Sequence, residues 1–187
     1  MRILKQLNLQ GLIPHELDKK IRMKEKAKGF WNPPPKGFLK YNIDGTSKDN
    51  PGMAGFGGVL QDENGSIISL FHCHLGKATN NMAKLMALKQ CLEFLKQDNC
   101  QNLIIEADSE LVINAAKRIS HGTRPEKVTK HWMLIRVLHK IQVHLQGLCT
   151  LRFIHVRRKA NKLADILANE GVNCKDSKIS MGWLAMS

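Results

Sequence analysis

Three aspartates, Asp44, Asp108 and Asp165, are far apart in the chain, yet each sits where an element of secondary structure is expected to begin or end. Asp44 follows the alternating run Leu39, Tyr41, Ile43, and Asp108 follows the apolar run Leu103-Ile104-Ile105. Both are therefore expected to end strands. Asp165 falls in the first turns of a late helix. Neighbouring strands would bring the first two to one sheet edge, and a helix packed beside that edge would add the third. Clustered carboxylates repel one another and drive at least one pKa up. Mg2+ or Mn2+ would relieve that repulsion, because such a hard cation takes carboxylate oxygens and keeps several waters. Two such ions about 3.5–4 Å apart can activate a water and stabilise the leaving oxygen in phosphodiester cleavage. Taken singly, each aspartate has a plainer reading. Asp44 before Gly45 is a turn residue, Asp108 before Ser109 leads into a helix, and Asp165 is an exposed helix acid.

The elements that must position these acids can be read in order. Residues 1–30 form a basic accessory segment, in which Ile3, Leu4, Leu7, Leu9, Leu12 and Ile13 suit a short amphipathic helix ending before Pro14. Residues 31–37 contain Pro33-Pro34-Pro35, which favours polyproline II and makes a stiff linker. A domain over residues 38–172 follows. Strands are expected from Phe38 to Asp44, over Gly55–Leu60 and over Ile67–His74. The turn chemistry of Asp62-Glu63-Asn64-Gly65 joins the second to the third. Thr79-Asn80-Asn81 offers N-cap side chains to a helix carrying Met82, Leu85, Leu88, Leu92 and Leu95. Leu103–Asp108 is a buried strand, and Ser109 caps a helix with Leu111, Val112, Ala115, Ala116 and Ile119 on its apolar side. Residues 129–146 carry another helix, with Trp132 at core spacing. Leu148 to Val156 is a fifth strand, and Asn161 to Val172 a last helix. The expected fold is α/β, a five-stranded mixed sheet in the order β-β-β-α-β-α-α-β-α flanked by helices. Residues 173–187 form a tail without clear period.

Over residues 31–172 the chain resembles the ribonuclease H-like domains associated with reverse transcriptases in plants, which are retroelement-derived. The segments that carry the resemblance are Asn42-Ile43-Asp44-Gly45-Thr46-Ser47, Ala54-Gly55-Phe56-Gly57-Gly58-Val59, Thr79-Asn80-Asn81-Met82-Ala83, Ile105-Glu106-Ala107-Asp108-Ser109, and His155-Val156-Arg157-Arg158 through Asn161 and Ala164-Asp165. No one segment is diagnostic, but the five fall in the right order. The resemblance implies a nuclease that cleaves the RNA strand of an RNA–DNA hybrid with two divalent ions held by four acids. It makes Asp44 the bridging ligand and Asp108 and Asp165 further ligands. His155, ten residues before the last acid, matches the mobile histidine that assists proton or product transfer, although a lone histidine at a strand end is commonly structural. Asn80 and Asn161 match positions that contact nucleic acid.

The fourth acid departs from the pattern. Where the family has glutamate after Thr-Asn-Asn-x-Ala, this chain has Lys84. An ammonium has three donors and no lone pair for a metal. It could take the place of one ion, neutralising the acids while abolishing two-metal chemistry. A cation in the first turn of a helix also opposes the macrodipole, at a cost of about 0.3–1 kcal/mol, so local helix stability does not explain the lysine. Glu106 shares a strand face with Asp108 and offers a substitute carboxylate, although a structural role suits it better.

Charge points to the same class of partner. A net charge of +13 favours polyanions such as nucleic acid. Residues 1–40 hold ten Lys/Arg against three Asp/Glu, and Arg157-Arg158-Lys159 lies between His155 and Asp165, where it would meet the phosphates of a hybrid or duplex. A plain solvated face is the competing reading. No apolar run reaches the roughly 18 residues of a membrane span. Five widely spaced cysteines suggest neither a zinc site nor a disulfide framework and suit a nuclear or cytoplasmic setting. Glu16, Asp18 and Glu25 weigh against an organelle-targeting peptide while leaving one open. Three functions compete: a hybrid-binding module whose hydrolysis is impaired by Lys84, an active metal-dependent hybrid endoribonuclease, and a retroelement-derived scaffold that meets a protein through residues 1–30.

Overall fold

The computed structural model describes residues 31–97, 102–146, 150–174 and 180–183. The amphipathic and basic stretches expected within residues 1–30 lie outside the described residues. Five strands form the core of the sheet: β1 (Leu39–Ser47), β2 (Gly52–Gln61), β3 (Ile67–Ala78), β4 (Asn102–Ala107) and β5 (Thr150–His155). Among the described residues the helices are α1 (Asn80–Gln97), α2 (Glu110–Ser120), the single-turn α3 (Pro125–Val128), α4 (Trp132–Leu145) and α5 (Lys162–Asn173), the last preceded by a 3-10 turn at Arg158–Ala160. A short sixth strand, β6 (Ser180–Trp183), pairs antiparallel with β3, within the tail whose sequence shows no clear period. The full sheet order is β5-β4-β1-β2-β3-β6.

Local chemistry sets the ends of these elements. Asp62 Oδ1 accepts from the backbone N–H of Asn64 and Ser66, and Gly65 adopts φ +77°, which closes the β2–β3 hairpin. Thr79 Oγ1 accepts from Met82 N at the start of α1, and Ser109 Oγ accepts from Val112 N at the start of α2.

The first three strands form an antiparallel meander, whereas β4 and β5 run parallel to β1. Tyr41, Ile43, Phe56 and Phe71 pack with Leu85, Leu88 and Leu92 of α1 in the main core. The opposite sheet face is covered by α5. A Cβ on Gly57 would lie 2.6 Å from that of Leu167, and one on Gly55 would lie 2.2 Å from Val172 N. These two glycines thus let α5 lie directly on β2. Both faces of β1 are consequently buried, including Lys40, Asn42 and Asp44.

Two side chains expected in the core are outside it. Trp132 is 60% exposed and Leu111 48% exposed. The buried stripe of α4 runs through Val137, Leu138 and Ile141, and that of α2 through Val112, Ala116 and Ile119. His72 of β3 is buried. Among the described residues no helix is long and apolar enough to cross a membrane.

Candidate functional site

The β1–β4 register explains how Asp44 and Asp108 meet. The last parallel pair is Ile43–Ala107, after which β4 stops while β1 continues to Ser47 alongside β2. Asp44 is therefore not at a strand end, as its sequence suggests. It lies one residue beyond the last β4 partner, where a notch opens, and Asp108 is the first residue after β4. Both point to the same face by the two-residue period of the strand.

Lys84 enters this notch from α1. Gly45 permits the approach, since a Cβ there would come within 2.2 Å of Ala83 C and 2.4 Å of Lys84 N. The ammonium donates to Asp44 Oδ1 in a short contact and to Asp108 Oδ1 at 2.7 Å. Burial pushes the Asp44 carboxyl up to about 6, with repulsion from Asp108 adding to the rise and Lys84 opposing it. Burial alone would depress the pKa of Lys84, but the charge of Asp44 and the hydrogen bonds to both aspartates outweigh it and hold the pKa above its ordinary value. Lys84 is thus a fixed cation.

Asp165 stands in the first turn of α5, where its Oδ1 accepts from the Arg158 guanidinium at 3.2 Å. The hydrogen bond to Asp165 and then its charge raise the Arg158 pKa, and Asp108 and Asp44 contribute in the same direction. Lys84 joins Asp44 to Asp108, and Arg158 holds Asp165. His155 is exposed at the end of β5, its Nε2 3.3 Å from the carbonyl oxygen of Asp108. Arg157, Arg158 and Lys159 are exposed.

The two asparagines bond to the backbone around β1. Asn161 is 1% exposed; its amide donates to the Ile43 carbonyl at 2.9 Å and its Oδ1 accepts from Asn42. It ties the start of α5 to β1 beside Asp44. Asn80 Oδ1 accepts from Ser47 N at 2.6 Å and fixes the start of α1 to the end of β1.

Glu106 supplies no carboxylate to the notch. It is paired with Lys40 at 2.7 Å and accepts from Asn42 at 3.0 Å. Trp31 Nε1 donates to Asn42 Oδ1, and Lys40 also donates to the Asn32 carbonyl. Trp31 and Asn32, which lead into the proline run, are therefore tied to β1. This buried network was missed in the sequence. Its signal was the polar series Lys40, Asn42, Asp44 on one face of β1, directly opposite Glu106.

This donor set does not suit a divalent ion. Lys84 occupies the space between two of the three carboxylates, and Arg158 pairs with the third. Among the described residues no group of three or more His, Cys, Asp or Glu is arranged to hold a metal ion.

Residues 42–171 match the family described as reverse transcriptase-like. A protein of Arabidopsis thaliana named as a ribonuclease H protein is 34% identical over 139 residues, covering 74% of this chain and 21% of its own length. Ribonuclease H1 of the halophilic archaeon Halobacterium salinarum has a crystal structure that superposes with a TM-score of 0.62 at 30% identity, covering 73% of this chain and 98% of that one. The chain spans 62% of the length of the ribonuclease HI sequence from that organism. LC11-RNase H1, crystallised in complex with an RNA/DNA hybrid, superposes with a TM-score of 0.62 at 29% identity, covering 72% of this chain and 96% of that one.

Proposed function

The chain belongs to the reverse transcriptase-like family and has the ribonuclease H fold, and on that premise we propose that it binds RNA–DNA hybrid or duplex and hydrolyses the RNA strand weakly or not at all. The observation that carries this reading is the Lys84 ammonium bonded to both Asp44 and Asp108. An ammonium has only donors and cannot ligate a metal, and it fills the space in which a divalent ion would meet both carboxylates. Displacement would leave the lysine charge beside the incoming ion, which Coulomb repulsion in a partly buried site opposes.

The same arrangement suits binding. Lys84 and Arg158 offset two of the three aspartate charges, so a phosphate backbone meets far less repulsion than it would from bare acids. Arg157 and Lys159 add exposed basic side chains in the same loop, and a net charge of +13 favours polyanions throughout. The relative crystallised with an RNA/DNA hybrid supports hybrid as the ligand class. Selection would come from helix shape and 2′-hydroxyl contacts across a shallow minor groove. His155, beside Asp108, would lie at the bound backbone.

The test is hybrid binding by the whole chain in a chelator such as EDTA, paired with a cleavage assay on end-labelled hybrid in Mg2+ and in Mn2+. Binding that survives the chelator and falls with salt, without cleavage, is the expected result. Robust cleavage that Asp44→Asn leaves unchanged would overturn both the impairment and the site.

A further inference from the structure

The solvent face of α4 is built unlike an ordinary helix surface. Trp132 is 60% exposed, Met133 43% and Val143 54%. With α1, this helix forms a groove of about 250 Å³ whose apolar lining is Met86, Trp132, Met133 and Val137. Its charged lining is Lys89, Arg136 and Lys140. Glu93 neutralises Lys89 at 2.6 Å. Among the described residues neither Arg136 nor Lys140 is ion-paired, and the Arg136 guanidinium lies 6.0 Å from the Trp132 ring centroid. From Lys127 to Ala164 the chain contains no Asp or Glu at all. The groove therefore joins an apolar trough to uncompensated positive charge.

We propose that this α1/α4 groove docks an acidic segment of another protein, one that carries a bulky apolar side chain flanked by carboxylates. Charge decides the occupant. A second copy of this chain brings +13, and residues 1–40 of the same chain are strongly basic, so both are repelled by Arg136 and Lys140. Two methionines and a tryptophan make a surface that adapts to an inserted aliphatic or aromatic side chain, while the cations set polarity and register for the flanking acids. A nucleic-acid backbone would satisfy the cations but leave the methionine lining uncovered. The inference does not depend on the aspartate site being a hybrid site.

The experiment titrates the whole chain by calorimetry with a capped synthetic peptide bearing leucine and phenylalanine one helical turn apart among glutamates. A control peptide has alanine at both apolar positions. The expected result is saturable binding of the first peptide and at least tenfold weaker binding of the control. Trp132→Ala and Arg136→Glu should each weaken the first peptide at least tenfold without lowering the melting temperature, since both side chains are exposed. Absence of binding, or equal binding of the two peptides, would overturn the proposal. So would a Trp132→Ala variant that loses hybrid affinity while no peptide binds, because the groove would then be a nucleic-acid platform.

Discussion

Lys84 Nζ lies 2.7 Å from Asp108 Oδ1, although the remainder of α1 and all of β4 separate the two residues in the chain. The contact is a tertiary one, made at the single place where β4 has ended and β1 continues. Asp44 completes it from the strand. A lysine near the amino end of a helix is opposed by the macrodipole, and two carboxylates in front of it reverse that preference. Lys84 is thus explained by the aspartates and not by the helix that carries it.

Replacing the ammonium with an apolar side chain leaves two carboxylates facing each other in a largely buried notch. Asp44 titrates near about 6, against an ordinary 3.8. A carboxyl whose folded-state pKa is raised favours the fold when protonated. That contribution is complete below about 3.8 and is lost as pH rises through about 6. Without Lys84 the folded-state value climbs further, so the loss extends through neutrality. Lys84→Met is expected to cost little at pH 5 and about 2 kcal/mol or more at pH 8, read by urea denaturation at each pH. Equal cost at both would show that the ammonium does not balance these acids.

Restoring an acid at position 84 should do the opposite in the presence of divalent ions. In Lys84→Glu four carboxylates crowd the notch, and only a cation relieves them. Cleavage of hybrid in Mg2+ or Mn2+ should rise at least tenfold over the unaltered chain. The melting temperature of the variant, and not of the unaltered chain, should increase with metal concentration by mass action. Unchanged cleavage and an unchanged melting temperature would locate the limitation elsewhere.

Arg157 is exposed in the loop leading to the 3-10 turn and has no role in the notch. Arg157→Ala is expected to weaken hybrid binding evenly across sequences and to reduce the slope of log affinity against log salt by about 0.9, the release of counterions from one phosphate contact. An unaltered slope would remove this loop from the binding surface.

Asn161 separates a structural from a ligand-contacting role. Asn161→Leu removes a donor from the Ile43 carbonyl and one of the two acceptors of the Asn42 amide, which keeps Glu106, and the two losses should cost about 1–3 kcal/mol. The urea midpoint should fall with the m-value unchanged. A variant of undiminished stability but reduced hybrid affinity would return Asn161 to the surface role implied by family resemblance.

What could be read in advance was whatever depends on neighbours in sequence. The Asp62–Gly65 turn, the caps at Thr79 and Ser109 and the alternation of Leu39, Tyr41 and Ile43 all act within a few residues. The three aspartates and Lys84 were legible as a set because their types are chemically demanding. The fate of the other face of β1 was not. Lys40 and Asn42 look solvent-facing by alternation, and only the docking of α5 and of Trp31 buries them and forces the pairing with Glu106. Trp132 illustrates the converse. Its spacing matches Ile135 and Leu138, yet the buried stripe of α4 is set by how that helix lies on α1, and the tryptophan falls outside it. The β6 pairing depends on residues 180–183 returning to β3 from more than a hundred positions away, which no local period announces.

Gly45 tests whether helix placement governs the site. It follows Asp44 directly, and the space its missing side chain leaves is filled by the backbone of α1 at Ala83 and Lys84. A methyl group there would overlap backbone atoms on both residues, and backbone in the first turns of a helix packed against a sheet cannot move aside alone. Gly45→Ala is therefore expected to lift the amino end of α1 and cost about 2–3 kcal/mol, at the upper end of overpacking substitutions. The displacement would also draw the Lys84 ammonium from Asp44 and Asp108. In the variant the Asp44 carboxyl should then titrate higher than in the unaltered chain, which carboxyl chemical shifts followed over pH 4–9 would register. A variant as stable as the original, with Asp44 titrating unchanged, would show that α1 accommodates the methyl group and that Gly45 does not set the reach of Lys84.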